Sequence, residues 1–385
     1  MTRRAVLIAS GIYLAASVGL AAWLLPTGRE QPPFTFPTPQ PKPVWKGGNA
    51  TPDERTLALR QARVWTPTAV AAADVGANPP DPAGMLSEPL VRCKYLDGPA
   101  HGTTTKFDCV LHDGEMVKVK YGHTGEIHAE VAASRLLSAL GFGADRMFII
   151  PRVRCYGCVR TPFYTAWAFD YVHARERLMQ SVPDDSYTDF EWVAVERRFG
   201  GSQIKAEDHE GWAWYELEPV DPSQGATRAE RDALRLAAEI IAHWDNKAPN
   251  QRLVCLAPEG TGPCPNAFAY IQDLGASFGP NKMDLERWKA SPIWADAARC
   301  TVSMKSFPYN GGTFPDAQIS EAGRQLMARQ LAAFSDRQMT ALFTAARFPE
   351  FHAGKQEGAD VHAWVQAFRD KVHQIVDRGP CPTSS

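Results

Sequence analysis

The segment HWDNKAPN, residues 243–250, sets Asp245, Lys247 and Asn250 within one short stretch. Further on, AYIQDLGASFG, residues 269–279, places Asp273 directly after an apolar run. Upstream, MVKVKYG (116–122) carries Lys118 and Lys120 on one face of a strand, and EIHAE (126–130) carries Glu126 and Glu130 one helical turn apart. Ahead of these, DGPAHGTTTKF (97–107) is a small-residue hairpin that includes Thr103 and Thr104. These residue types suit phosphoryl transfer from a nucleotide, where positioning and charge neutralisation do most of the work. One carboxylate orients the acceptor hydroxyl. An amide and a second carboxylate hold a divalent cation through oxygen, and a lysine held by a glutamate meets the phosphates. Taken singly, His243 reads equally well as a helix-end residue and Asp273 as a strand-terminating turn. The order hairpin, lysine strand, glutamate helix, aspartate–asparagine loop, strand and aspartate is what favours the chemistry.

The elements that must carry these residues are legible in outline. TRAERDALRLAAEIIAHW (227–244) is an amphipathic helix with Thr227 as N-cap and Glu230 three residues on, and it delivers the chain into HWDNKAPN. VRCKYL, KFDCVL and EMVKVKY are short strands separated by turn formers, which predicts an antiparallel sheet. EIHAEVAASRLLSALGF predicts a helix stopping at Gly141. RMFIIPRVRC and FYTAWAFDYV read as further strands, and residues 184–225 as a polar, aromatic and irregular stretch, either an insertion or a substrate-facing lobe segment. Within it Trp212, Trp214 and Tyr215 read either as a substrate platform or as packing. RLVCL and AFAYIQDLG predict two strands, and the chain from about residue 283 is mostly helical.

HWDNKAPN matches the protein-kinase pattern H-R-D-x-K-x-x-N at His243, Asp245, Lys247 and Asn250, and departs from it at Trp244. Asp273-Leu-Gly resembles D-F-G, and the lysine strand resembles V-A-I-K. GxGxxG is missing from the hairpin and no A-P-E follows Asp273, so the chain resembles the atypical branches: the HipA-type, phosphatidylinositol-kinase-like and secretory-pathway kinases. The resemblance covers residues ~90–280 in motif order. It implies an α+β, two-lobed protein-kinase-like fold, with an antiparallel-sheet N-lobe bearing one helix and a mainly helical C-lobe. It implies ATP with Mg²⁺ or Mn²⁺ as cofactors. Asp245 would be the catalytic base, and Asn250 and Asp273 the metal ligands. Lys247 would stabilise the transferring charge, and Lys120, oriented by Glu130, would contact phosphates. Lys118 and Glu126 are near-equal alternatives for that pair, and Thr103 and Thr104 would cover the phosphates. The acceptor is an unidentified hydroxyl of a protein, lipid or glycan. A nucleotide-binding pseudokinase and a non-catalytic, disulfide-stapled extracytoplasmic binding domain are the alternatives.

Net charge is −2, which leaves no global field to recruit nucleic acid. Arg3 and Arg4 precede a mostly apolar run from Ala5 to about Pro26, long enough for one membrane-crossing helix or a cleaved signal. Residues 27–52 are proline-rich and read as a semi-rigid linker, followed by an N-lobe over 53–175 and a C-lobe over 176–385. Eight cysteines beyond an export segment favour disulfides in an oxidising compartment, with Cys255 and Cys264 bracketing a turn-rich loop. The expected location is membrane-anchored, with the body on the periplasmic or secretory side.

Overall fold

The computed structural model describes residues 25–258, 260, 262–308, 311–352 and 358–382. The apolar run expected to span a membrane therefore lies, up to Leu24, outside the described residues. Among those described, no helix is long and apolar enough to cross a membrane. The fold is mixed α+β. Its main strands are β1 (Leu90–Leu96), β2 (Lys106–Val110), β3 (Met116–Lys120), β4 (Arg146–Tyr156), β5 (Ser186–Arg197), β6 (Gln251–Cys255) and β7 (Ala267–Ile271). The ten described α-helices are α1 (Pro52–Arg60), α2 (Gly125–Ala139), α3 (Pro162–Tyr171), α4 (Arg175–Gln180), α5 (Arg228–Ile240), α6 (Leu285–Ala290), α7 (Glu321–Ala332), α8 (Asp336–Ala345), α9 (Phe348–Phe351) and α10 (Val361–Val376). The chain divides into two compact units.

The first unit comprises residues 1–41, 81–122 and 150–196. Turn-separated β1, β2 and β3 pair antiparallel, as their spacing predicts, with Lys106 opposite Lys120 and Lys94 opposite Val110. β4 runs parallel to β1, and β5 lies antiparallel to β3. β5 also pairs with β4, so the sheet returns on itself. Three expectations are corrected here. Residues 162–171 form a helix, not a strand, because Pro162 starts a first turn and burial falls at Phe163 and Ala166 with helical spacing. Its aromatic richness imitated strand propensity. Residues 186–197 form a long strand within the segment expected to be irregular. The proline-rich stretch is no free spacer, since Gly28–Arg29 add a short strand to β5 and Gln40 hydrogen-bonds Gly114 and Asp113.

The second unit comprises residues 42–80, 123–149 and 197–385. Its centre is the β6–β7 hairpin, paired along its length and extended by Ser202–Gln203. Helix α5 starts with a reciprocal capping box, in which Thr227 Oγ1 accepts from Glu230 N at 3.2 Å and Glu230 accepts from Thr227 N at 2.6 Å. It packs on α7, and α10 covers α7 and α8. Phe278, Trp288, Phe343, Phe348 and Trp364 meet edge-to-face in the helical core. Trp212 and Trp214 are fully buried, and Trp212 donates its indole N–H to Arg252 O at 3.0 Å, so they serve packing. All eight cysteines are paired, as 93–109, 155–158, 255–264 and 300–381.

Candidate active site

Helix α5 ends by throwing the chain into a left-handed turn at Ala242, φ 51°, an uncommon conformation for a residue with a Cβ. His243 follows, fully buried. Burial pushes its imidazole down to about 4, although the carboxylates of Asp273 and Asp245 pull the other way, so the ring is neutral at neutral pH. Trp244 donates its backbone N–H to Ala276 O and its indole N–H to Gly279 O, binding this loop to the segment after Asp273. The loop is then fixed by Asn246, which is completely buried. Its Oδ1 accepts from Thr313 N and Phe314 N at 2.9 Å each, and its Nδ2 donates to His243 O and Trp244 O.

On this support Asp245 remains partly exposed and pairs with Lys247 Nζ at 3.1 Å. Asn250 Nδ2 donates to Asp245 O at 2.6 Å. Asn250 O accepts from both Gln272 N (2.9 Å) and Asp273 N (3.1 Å), because Gln251 is in register with Ile271. Asp245, Asn250 and Asp273 therefore gather at one end of the hairpin. Gly275 N donates to Asp273 Oδ1 at 3.3 Å. A Cβ on Gly275 would lie 2.2 Å from Glu126 Cγ, so the glycine two residues after Asp273 is demanded by the approach of α2. Glu126 itself pairs with Lys282. Phe278, Lys282 and Met283 all take positive φ, so the segment following Asp273 is locally strained as well.

In the first unit, Lys118 and Lys120 point to one face of β3 and share one carboxylate on the neighbouring strand. Lys118 Nζ lies 2.8 Å from Glu196 Oε1, and Lys120 Nζ lies 3.3 Å from Glu196 Oε2. Burial raises the Glu196 carboxyl, but the two ammonium groups outweigh it and hold the group well below the usual carboxylate range. The sequence placed the orienting carboxylate on α2. Glu196 was not singled out because it sits in the stretch read as an insertion. Glu130 is buried on α2, Thr103 is exposed and Thr104 is buried.

The donor set fits a hard divalent cation. The Asn250 amide nitrogen is committed to Asp245 O, so the side-chain oxygen is its remaining donor atom, and Asp273 follows on the paired strand. Elsewhere among the described residues, the sulfurs of Cys93, Cys109 and Cys155 lie within 4.8 Å of one another. All three are in disulfides and have no thiolate to offer a metal.

No family model and no curated protein matches the chain. Among solved structures it is similar to the Helicobacter pylori proinflammatory kinase CtkA, at 10% sequence identity and a TM-score of 0.41, covering 74% of this chain and 95% of that one. A likeness of that depth carries no weight for the fold or the chemistry.

Proposed function

We propose that the chain is a kinase-type phosphotransferase that uses ATP with Mg²⁺ or Mn²⁺ to phosphorylate a hydroxyl of a protein, lipid or glycan. The observation that carries this reading is the hairpin register that sets Asn250 and Asp273 side by side next to Asp245. Asp245 accepts the hydrogen bond of the acceptor hydroxyl and takes its proton as the oxygen attacks. Lys247, already beside Asp245, offsets charge on the transferring group. Asn250 and Asp273 would hold the cation, which when bound neutralises the phosphate oxygens. Lys120, buried against Glu196, and Lys118, partly exposed beside it, would supply positive charge to the phosphates, and Thr103 and Thr104 lie in the hairpin that would cover them. Neutral, buried His243 orients the loop and takes no proton.

The four disulfides favour a second reading, a nucleotide-binding or purely binding module without turnover, because a body anchored on the periplasmic or secretory side meets little ATP. Thermal denaturation with Mg²⁺-ATP and Mn²⁺-ATP tests nucleotide binding, and phosphoryl transfer separates an enzyme from a nucleotide-binding module. Saturation near 100 times Kd stabilises a protein by about 2.7 kcal/mol, so a clear rise in Tm is expected with one of the metals. Asp273→Ala abolishes that rise. Asp245→Ala keeps it and removes phosphoryl transfer. No rise with either metal ends both nucleotide readings, and transfer surviving in Asp245→Ala removes Asp245 as the base.

A further inference from the structure

Helix α3 wears its aromatic side chains outward. Phe163 and Ala166 are buried, whereas Tyr164, Trp167 and Tyr171 are 48%, 67% and 87% exposed. Their spacing of three and then four residues puts the exposed rings on one face, and exposed Val172 extends it. A contiguous aromatic patch is unusual on a surface that meets only water. Tryptophan and tyrosine combine an apolar body with a polar tip, which suits the boundary between lipid headgroups and hydrocarbon. Next to this face Arg175 pairs with both Asp170 and Asp97 at 2.5 Å.

The place of this face is fixed by what lies at the start of β5. On one edge of Ser186–Thr188, Gly157 N donates to Ser186 O and Thr188 Oγ1 donates to Cys158 O, each at 2.8 Å. The chain then enters α3 after Thr161. On the opposite edge, Thr27 N donates to Tyr187 O and Glu30 N to Asp185 O, each at 2.7 Å, and Gly28 is in register with Tyr187. Adjacent strands lie about 4.8 Å apart, so Gly157 and Gly28, on either side of β5, are separated by about 10 Å, and α3 starts at Pro162, four residues after Cys158. Leu25, immediately before this fastening, is 59% exposed. Only Pro26 and Thr27 lie between Leu25 and Gly28 on the sheet.

We infer that the Tyr164–Trp167–Tyr171 face of α3 sits in the headgroup layer of a bilayer; this rests on the expectation that the apolar run from Ala5 to about Pro26 is a span. The full chain reconstituted into phosphatidylcholine–phosphatidylglycerol vesicles tests it, using lipids brominated high on the acyl chains to quench tryptophan. The protein has eleven tryptophans, so each position is read as the wild-type spectrum minus that of a Trp→Phe variant. The Trp23→Phe difference reports the span and the Trp167→Phe difference reports the face. Both differences are expected to be blue-shifted and to lose most of their intensity to bromolipid. Quenching at Trp23 with none at Trp167 leaves the span standing and overturns the face. No quenching at Trp23 overturns the span, and the face with it. Trp167 shielded from both iodide and bromolipid marks a covering protein instead and equally overturns the proposal.

Discussion

Asn246 contacts no reacting group, yet it holds the loop that carries Asp245. Its amide satisfies two backbone N–H donors from residues 313 and 314 and two backbone carbonyls of its own loop. A buried polar group left without a partner costs ~1–3 kcal/mol. Asn246→Ala strands several at once, so it is expected to lower stability by about 3 kcal/mol in urea denaturation. A loss under about 1 kcal/mol would show that the amide is not what holds the loop. The sequence marked Asp245, Lys247 and Asn250 on either side of this position and passed over Asn246, because its partners come from a distant loop. Glu196 escaped as well, lying in the stretch read as an insertion. The carboxylate that meets the two lysines is a cross-strand neighbour, and cross-strand neighbours are set by register, which local spacing does not encode.

At the scale of elements, helix α5 was readable from its capping box and its apolar stripe, and the β1–β3 meander from its turns. α3 was misread because Phe, Tyr and Trp favour strands when burial alternates, and here burial follows a helical period. A titration is built into α5. Burial raises Glu239 from 4.5 to about 8, with Lys371 on α10 opposing, and burial lowers Lys371 from 10.5 to about 8, with Glu239 opposing. The folded state thus keeps the Glu239 proton that the unfolded chain releases above 4.5. Stability present below that pH is lost as pH rises through about 8. Lys371 acts in the other direction: its contribution is complete above 10.5 and is lost as pH falls through about 8. Glu239→Gln removes the first limb. Its urea midpoint is expected to gain on the wild type steadily from pH 5 to pH 8, and a constant difference across that range would refute the assignment.

For the whole molecule, the four disulfides close loops of very different length. Cys300–Cys381 spans 81 residues and Cys255–Cys264 only 9. Chain-entropy reasoning gives about 4.5 kcal/mol for the longer loop and about 2.6 for the shorter. Cys300→Ser with Cys381→Ser is therefore expected to lower stability by more than the corresponding pair at 255 and 264, measured as guanidinium midpoints of the two double variants. The reverse order would place the stabilisation in local packing instead. An even cysteine count foretold bridging, but apart from the bracketed hairpin loop the pairing depended on which strands and termini meet in space.

The shorter bridge has one more implication. Asn250 and Asp273 stand at the open end of the β6–β7 hairpin, and Cys255–Cys264 clamps its closed end. Their separation in space is set by strand register, while their separation along the chain is set by the loop beyond the clamp. A nick in that loop would leave the two pieces joined through Cys255–Cys264. Any description of such sites by a fixed count of residues between the asparagine and the aspartate will pass over chains built this way.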